Sequence, residues 1–236
     1  MDPLLISAAS GLRSRMEALE LVANNLANAG TAGFKSDREF YGLYSAPESD
    51  SAVLPVIERR WTDFSQGTLT PTGNTTDLAL ASSGFFTVRG PQGPLHTRNG
   101  NFRIAGSMLA SAEGYPALGT DGKPIMLDPA RPFEVGLDGA VKQDSLDAGR
   151  IAVVEFAEPQ ALEKMGRSYY RASEAARPAA DVEVHQGKLE SANVGVPESA
   201  VRMVGILRQF EMLQKAVALG SEMGRRSVEE VAKVNP

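Results

Sequence analysis

The two ends of this chain carry one long apolar repeat each, and the middle carries neither. Leu5, Ala8, Leu12, Arg15, Leu19, Val22 and Leu26 are spaced alternately by three and four residues. That spacing lines one side of a helix and, when sustained, forms a coiled-coil-like seam. Met203, Ile206, Phe210, Leu213 and Val217 repeat it near the other end, and Leu207 and Val228 project onto the same stripe. Pro3 suits a first helical position with Asp2 as its cap, and Gly30 and Gly33 end the run. The first helix is therefore predicted at about 26 residues, roughly 39 Å. The second, opening at Pro197 and Glu198, is predicted at about 35 residues, roughly 50 Å, with Gly220 and Gly224 weakening its latter half.

The texture between them is different. Residues 39–196 hold 14 positive and 20 negative side chains, 17 of the 23 Gly and 11 of the 14 Pro, so the chain's acidity (net charge −5 overall) sits in the middle. Short β-favouring runs stand at 77–80, 85–89, 102–104, 125–127, 151–156 and 169–171. Asn99-Gly100, Glu113-Gly114, Asp121-Gly122 and Asp138-Gly139 separate them as turn signals. Residues 45–56 look like a loop. The expected fold class is α+β, with discontinuous terminal helices paired as a coiled-coil-like layer around a mostly antiparallel β domain. The expected division is a helical assembly domain at 1–38 and 197–236, a connecting region at 39–74 and 181–196, and a β-rich domain at 75–180.

Composition narrows the function. With no Cys and two His, His96 and His185, the chain offers no disulfide scaffold, no thiolate chemistry and a poor basis for a multi-His metal site. An acidic chain without a basic run is not built to neutralise phosphates, so nucleic acid is an unsuitable partner. There is no basic n-region, and no apolar stretch of about 20 residues could span a bilayer. Acid pairs drawn from Asp63, Asp77 and Glu155 could be imagined as hydrolytic, but 29 acids offer many such pairs. No catalytic residue, cofactor or metal is expected.

Two helical seams can satisfy each other within one chain. The second helix, however, has another apolar stripe: Gly205, Met212, Ala216, Leu219 and Met223 fall within about 60° of one another. One partner helix covers one stripe, so a second neighbour is implied, either the β domain or another subunit. Asn24, Asn25 and Asn28 lie opposite Leu19, Val22 and Leu26. Asn is a weak helix former, and three of them suit carboxamides bonding across a helix–helix contact, or, for Asn28, a simple end cap.

Particular motifs then become specific. Val22-Ala23-Asn24-Asn25-Leu26-Ala27-Asn28, followed by Thr31 and Gly33-Phe34-Lys35, resembles the N-terminal signature of the flagellar rod and hook axial proteins. Gly67-Thr68-Leu69, Thr72-Gly73-Asn74, Asp77–Leu80, Gly84–Val88, Thr97–Phe102, Gly114-Tyr115 and Gly119 continue the likeness, and Gly187–Val194 resembles the family's approach to its C-terminal helix. Arg208-Gln209-Phe210-Glu211-Met212 is more similar to the proximal than to the distal rod subunits. Ala81-Ser82-Ser83 departs from the family pattern, and the tail from Arg225 to Pro236 is longer than the family suggests. The resemblance implies a rod subunit, exported by the flagellar type III apparatus without a cleaved signal peptide. It also implies assembly in the periplasm with copies of itself and other rod proteins, to transmit torque. The assembly contacts then expected are Leu12, Leu19, Val22, Asn24, Asn25, Leu26, Asn28, Gly33, Phe34, Met203, Ile206, Phe210, Met212, Leu213, Val217 and Leu219. Gly33 is expected to redirect the chain, and Phe34 to anchor the next segment or simply fill a core. A soluble β-rich binding module with a helical dimerisation pair is the rival from another class.

Overall fold

The computed structural model describes residues 3–45 and 53–234. The chain builds two units from interleaved segments. One takes residues 1–27, 37–62 and 195–236, and the other takes 28–36 and 63–194. The fold is α+β, and every strand pairing is antiparallel.

The helical unit contains α1 (Pro3–Ala27), a hairpin of β1 (Asp37–Ser45) and β2 (Val53–Thr62), and later α2 (Val196–Val234). Both helices fall close to their predicted bounds; Asp2 lies outside the described residues. The buried line of α1 is displaced from the apolar repeat. It runs through Gly11, Ser14, Ala18, Leu21, Val22 and Asn25, while Leu12, Arg15, Leu19 and Leu26 flank it half-buried. Small side chains at a crossing let two helix axes approach, and larger neighbours then close over the sides. Ala18 and Val22 meet Ile206, with Leu19, Met203 and Ile57 packed around them. Leu213 lies over Gly11, where a Cβ would stand 3.3 Å from its Cδ1.

The β1–β2 hairpin falls where no strand was predicted. Asp37 pairs with Thr62 and Ser45 with Val53, with a bulge after Phe40. Of the segment read as a loop, 46–52 lies outside the described residues, and 53–56 begin β2. Charges and Pro55 obscure the strand; a two-stranded ribbon is all edge, where a proline is tolerated.

In the β unit, β3 (Leu69–Pro71), β4 (Leu78–Leu80), β5 (Phe85–Gly90), β6 (Gly93–Thr97), β7 (Phe102–Ala105) and β8 (Met108–Ser111) come first. Next are β9 (Phe133–Val135), β10 (Ala140–Gln143), β11 (Leu146–Arg150) and β12 (Val153–Glu155). The last are β13 (Glu163–Lys164), β14 (Tyr169–Arg171), β15 (Arg177–Pro178), β16 (Val184–Gln186) and β17 (Lys188–Glu190). The largest sheet has the order β13-β14-β6-β5-β12-β15. The late strands return to early ones, β16 to β4 and β17 to β3.

Leu78, Leu80, Phe86, Val88, Phe102, Leu109, Ile125, Leu127, Val141, Ile151 and Val184 form one buried cluster. The predicted runs at 85–89, 102–104 and 169–171 are strands, 77–80 contains β4 with Asp77 before it in an isolated bridge, and 151–156 contains one strand. Ile125 and Leu127 point into the core, yet their segment makes only an isolated bridge between Met126 and Met108. Gly114, Gly122 and Gly139 close turns at positive φ. Gly100 instead marks a close approach, because a Cβ there would fall 1.6 Å from the Leu78 carbonyl oxygen. The tight turn between β10 and β11 is made by Asp144-Ser145, both at positive φ.

Two outcomes follow from this core. Phe86 is fully buried and edge-on to Phe102, so Phe86→Ala is expected to lower unfolding free energy in urea by about 3–5 kcal/mol. His96 is buried in β6, and desolvation holds its pKa down at about 4. The unfolded chain therefore binds a proton that the folded one refuses. Stability is fully present above about pH 6.5 and falls as pH drops towards about 4. Replacing His96 by Gln should remove that part of the slope in urea titrations run between those limits.

Candidate assembly site

On α2, Ile206 is buried against Ala18 and Val22 with Met203 beside it, and Leu213 lies over Gly11; Met203, Phe210, Leu213 and Val217 are half-buried. The other stripe is open to solvent. Met212, Leu219 and Met223 are 62%, 65% and 68% exposed, Val201 is 74% exposed, and Ala216 is exposed beside them. Gly205 on the same side is half-buried. Exposed apolar side chains are ordinary when scattered singly; here they line one side of a helix. The hairpin adds Phe40, 61% exposed, and Trp61, against which the Arg38 guanidinium packs with its carbon 5.8 Å from the ring centre. Neither aromatic was foreseen; both sit in the strands that charge had hidden.

The three asparagines do different things. Asn25 is buried and holds the first residue of β1 at two points: its Nδ2 donates to the Asp37 carbonyl (2.8 Å), and its Oδ1 accepts the Asp37 N–H (2.9 Å). The expected bond from Asn25 to another helix is thus replaced by a clamp between α1 and β1, because both faces of its amide are used on one backbone. Asn24 is exposed on α1. Asn28 ends the helix, its carbonyl accepting the Thr31 N–H at 2.9 Å.

Within the β unit, Gly33 and Phe34 face inwards. Gly33 lies at φ +66°, donates its N–H to the Glu190 carbonyl (2.7 Å), and would drive a Cβ to 2.3 Å from the backbone of Arg98 and Asn99. Phe34 is buried with the Lys164 ammonium 4.4 Å from its ring centre. The next residue begins a network of buried charge. Lys35 donates to Glu190 Oε1 (2.6 Å) and to the Ser65 carbonyl (2.6 Å). Arg98 donates through Nε to Glu190 Oε2 (2.8 Å), and through a terminal nitrogen to the carbonyls of Ser82 (2.7 Å) and Gly84 (2.6 Å). The Gly67 N–H gives Glu190 Oε1 a further bond of 2.9 Å.

Glu190 and Lys35 are 0% exposed and Arg98 is 4% exposed. Burial pulls the Lys35 pKa down, against the raising effect of Glu190. Asn193 completes the arrangement, accepting the Ser36 N–H (2.7 Å) and donating to the Asp63 carbonyl (2.7 Å). The segments by which the chain enters and leaves this unit are thus tied to one another. Lys35, Arg98, Gly67, Glu190 and Asn193 all stand inside the motifs singled out in the sequence. What single-chain reading lacked was their mutual contact, which joins residues 92 to 155 positions apart. Among the described residues no group of three or more His, Asp or Glu side chains could hold a metal ion, and no helix is long and apolar enough to cross a membrane.

Comparison with known proteins places this arrangement. Residues 5–35 match the family described as flagella basal body rod protein, and residues 185–229 match the flagellar basal body rod FlgEFG protein C-terminal family. The chain is 33% identical over 245 residues to the flagellar basal-body rod protein FlgF of Caulobacter vibrioides, covering 100% of both chains. It is 30% identical to FlgF of Mesorhizobium japonicum, covering 89% of this chain and 90% of that one. To the basal-body rod protein FlgG of Bacillus subtilis it is 29% identical, covering 93% and 95%.

The glycine at the motif's turn yields a contrast test. Gly33→Ala should lower urea stability by about 1–3 kcal/mol or more through strain and backbone collision. Gly30→Ala, where nothing lies within 4 Å of the added carbon, should change it by less than about 0.5 kcal/mol.

Proposed function

From the premise that the chain belongs to the flagellar basal-body rod protein family, we propose how its helices and its β unit serve a rod. The protein is a structural component of the basal body and not an enzyme. It is of the FlgF, proximal type, a reading supported by FlgF relatives at 33%, 30% and 28% identity, of which the first two stand above the FlgG relatives at 26–29%. FlgG-type distal rod is the alternative within the family. Residues 1–38 and 197–236 act as the assembly domain, and residues 75–180 form the outward β domain, with 39–74 and 181–196 connecting them. The subunit leaves the cytoplasm through the flagellar export apparatus without a cleaved signal peptide and assembles in the periplasm.

One observation carries the assembly reading. The face of α2 turned away from α1 exposes Met212, Leu219 and Met223, each more than 60% open. In a polymer, α1 and α2 form an inner coiled-coil-like layer, and this second stripe packs on a neighbouring subunit. Copies then stack through two different surfaces that repeat without closing a ring. Such a filament transmits torque because each subunit is held on two sides. Free subunits keep these side chains in water, and α2 is only marginal as a lone helix beyond its contacts with α1.

Leu219→Asp or Met212→Asp tests this. Either variant should leave the urea transition of the purified subunit within about 0.5 kcal/mol of the parent, since the side chains are exposed. Either should also abolish swimming on soft agar and incorporation into purified basal bodies. Normal motility with both substitutions present would refute the assignment of this face.

A further inference from the structure

The Glu190 carboxylate does more than fill a buried site. Each of its partners precedes it by a long stretch of chain: 155 residues for Lys35, 123 for Gly67 and 92 for Arg98. Lys35 and Arg98 are both buried, and apart from Glu190 their hydrogen bonds go to carbonyls of Ser65, Ser82 and Gly84. Carbonyls satisfy N–H groups but do not neutralise charge. Asp63 adds a weaker attraction on Lys35. Removing the carboxylate from this site would enclose two cations in a dry interior, one of the least favourable states a core can adopt.

The segment that delivers Glu190 also delivers the last strand pairings. β16 joins β4, β17 joins β3, and the Glu190 carbonyl receives the Gly33 N–H. First and last portions of the unit therefore meet on one residue.

We infer that Glu190 is a closure lock: the β unit shuts its core around Lys35 and Arg98 only when the segment carrying Glu190 has docked. The device imposes an order on a chain that appears N-terminus first, whether from a ribosome or threaded through a channel. Such a chain holds the core strands β4 to β8 long before it holds the lock, and the uncompensated cations keep the unit open until residue 190 arrives. The lock is independent of how the subunit later packs in a rod.

The test uses the full-length chain. Glu190→Gln keeps shape but leaves both cations unpaired, and should lower the folding constant of the β unit by about a hundredfold or more in urea titration. Lys35→Met combined with Glu190→Gln removes one of those cations and leaves Arg98, and should regain part of that loss. Pulse-labelled hydrogen exchange during refolding gives the order of events. In the parent, amides of β5 and β6 should become protected in the same phase as those of β17. In the K35M/E190Q variant, with one of the two cations gone, they should become protected earlier relative to β17 than in the parent. Should E190Q not fold at all, recovery or non-recovery of folding in K35M/E190Q decides in the same way. The inference is overturned if E190Q is as stable as the parent or if K35M/E190Q is no more stable than E190Q. It is also overturned if the parent protects β5 and β6 about tenfold sooner than β17.

Discussion

The segments by which the chain enters and leaves the β unit converge on one buried carboxylate held between an ammonium and a guanidinium. A charge pair in a dry interior gains little over well-packed apolar side chains, because desolvation offsets the attraction. Its value here is specificity of connection. Glu190 accepts Lys35, Arg98 and the Gly67 N–H, so it demands that four stretches of chain be in place together. Apolar side chains of similar size would tolerate several arrangements; this set accepts one. Gly33 and Gly67 are glycine for the same reason. A Cβ on Gly67 would stand 1.9 Å from the Ser191 carbonyl oxygen, and one on Gly33 would strike Arg98.

The helical unit is held differently. Its centre is small: Gly11, Ser14 and Ala18 sit on the buried line of α1, and Leu213 and Ile206 of α2 come down onto that side. Arg202 pairs with Glu39 of β1, and Asn25 grips the Asp37 backbone. These contacts use one side of α2. Its far side keeps Met212, Leu219 and Met223 exposed.

Much of this was legible in the sequence, and what was not had physical causes. The helices were readable because a period of three and four over more than twenty residues has few other solutions. Strands β5, β7 and β14 were readable from β-branched and aromatic runs between turn signals, and β4 from its Leu-Ala-Leu. The β1–β2 hairpin was not, since Asp37-Arg38-Glu39 and Pro55 disguise a ribbon whose outer side faces water. The apolar repeat of α1 includes the buried Val22, but Leu12, Leu19 and Leu26 stay half-buried while the buried line continues through Gly11, Ser14 and Ala18, small residues that let helix axes approach. Asn25 is an unusual helix residue on sequence alone, but only the fold shows that its amide bonds the Asp37 backbone. The charge network stayed hidden because Lys35, Arg98 and Glu190 each look like ordinary surface residues until the topology brings them together.

The account stands or falls on whether the Glu190 network is part of the cooperative core or merely a surface junction that happens to be covered. Native-state hydrogen exchange at the Gly33 and Gly67 amides, whose N–H groups bond to Glu190, reads this directly. The account predicts that both exchange only through global opening of the β unit, with the same free energy as the Phe86 and Val88 amides in β5. Exchange at a rate typical of a mobile loop, well ahead of β5, would contradict it.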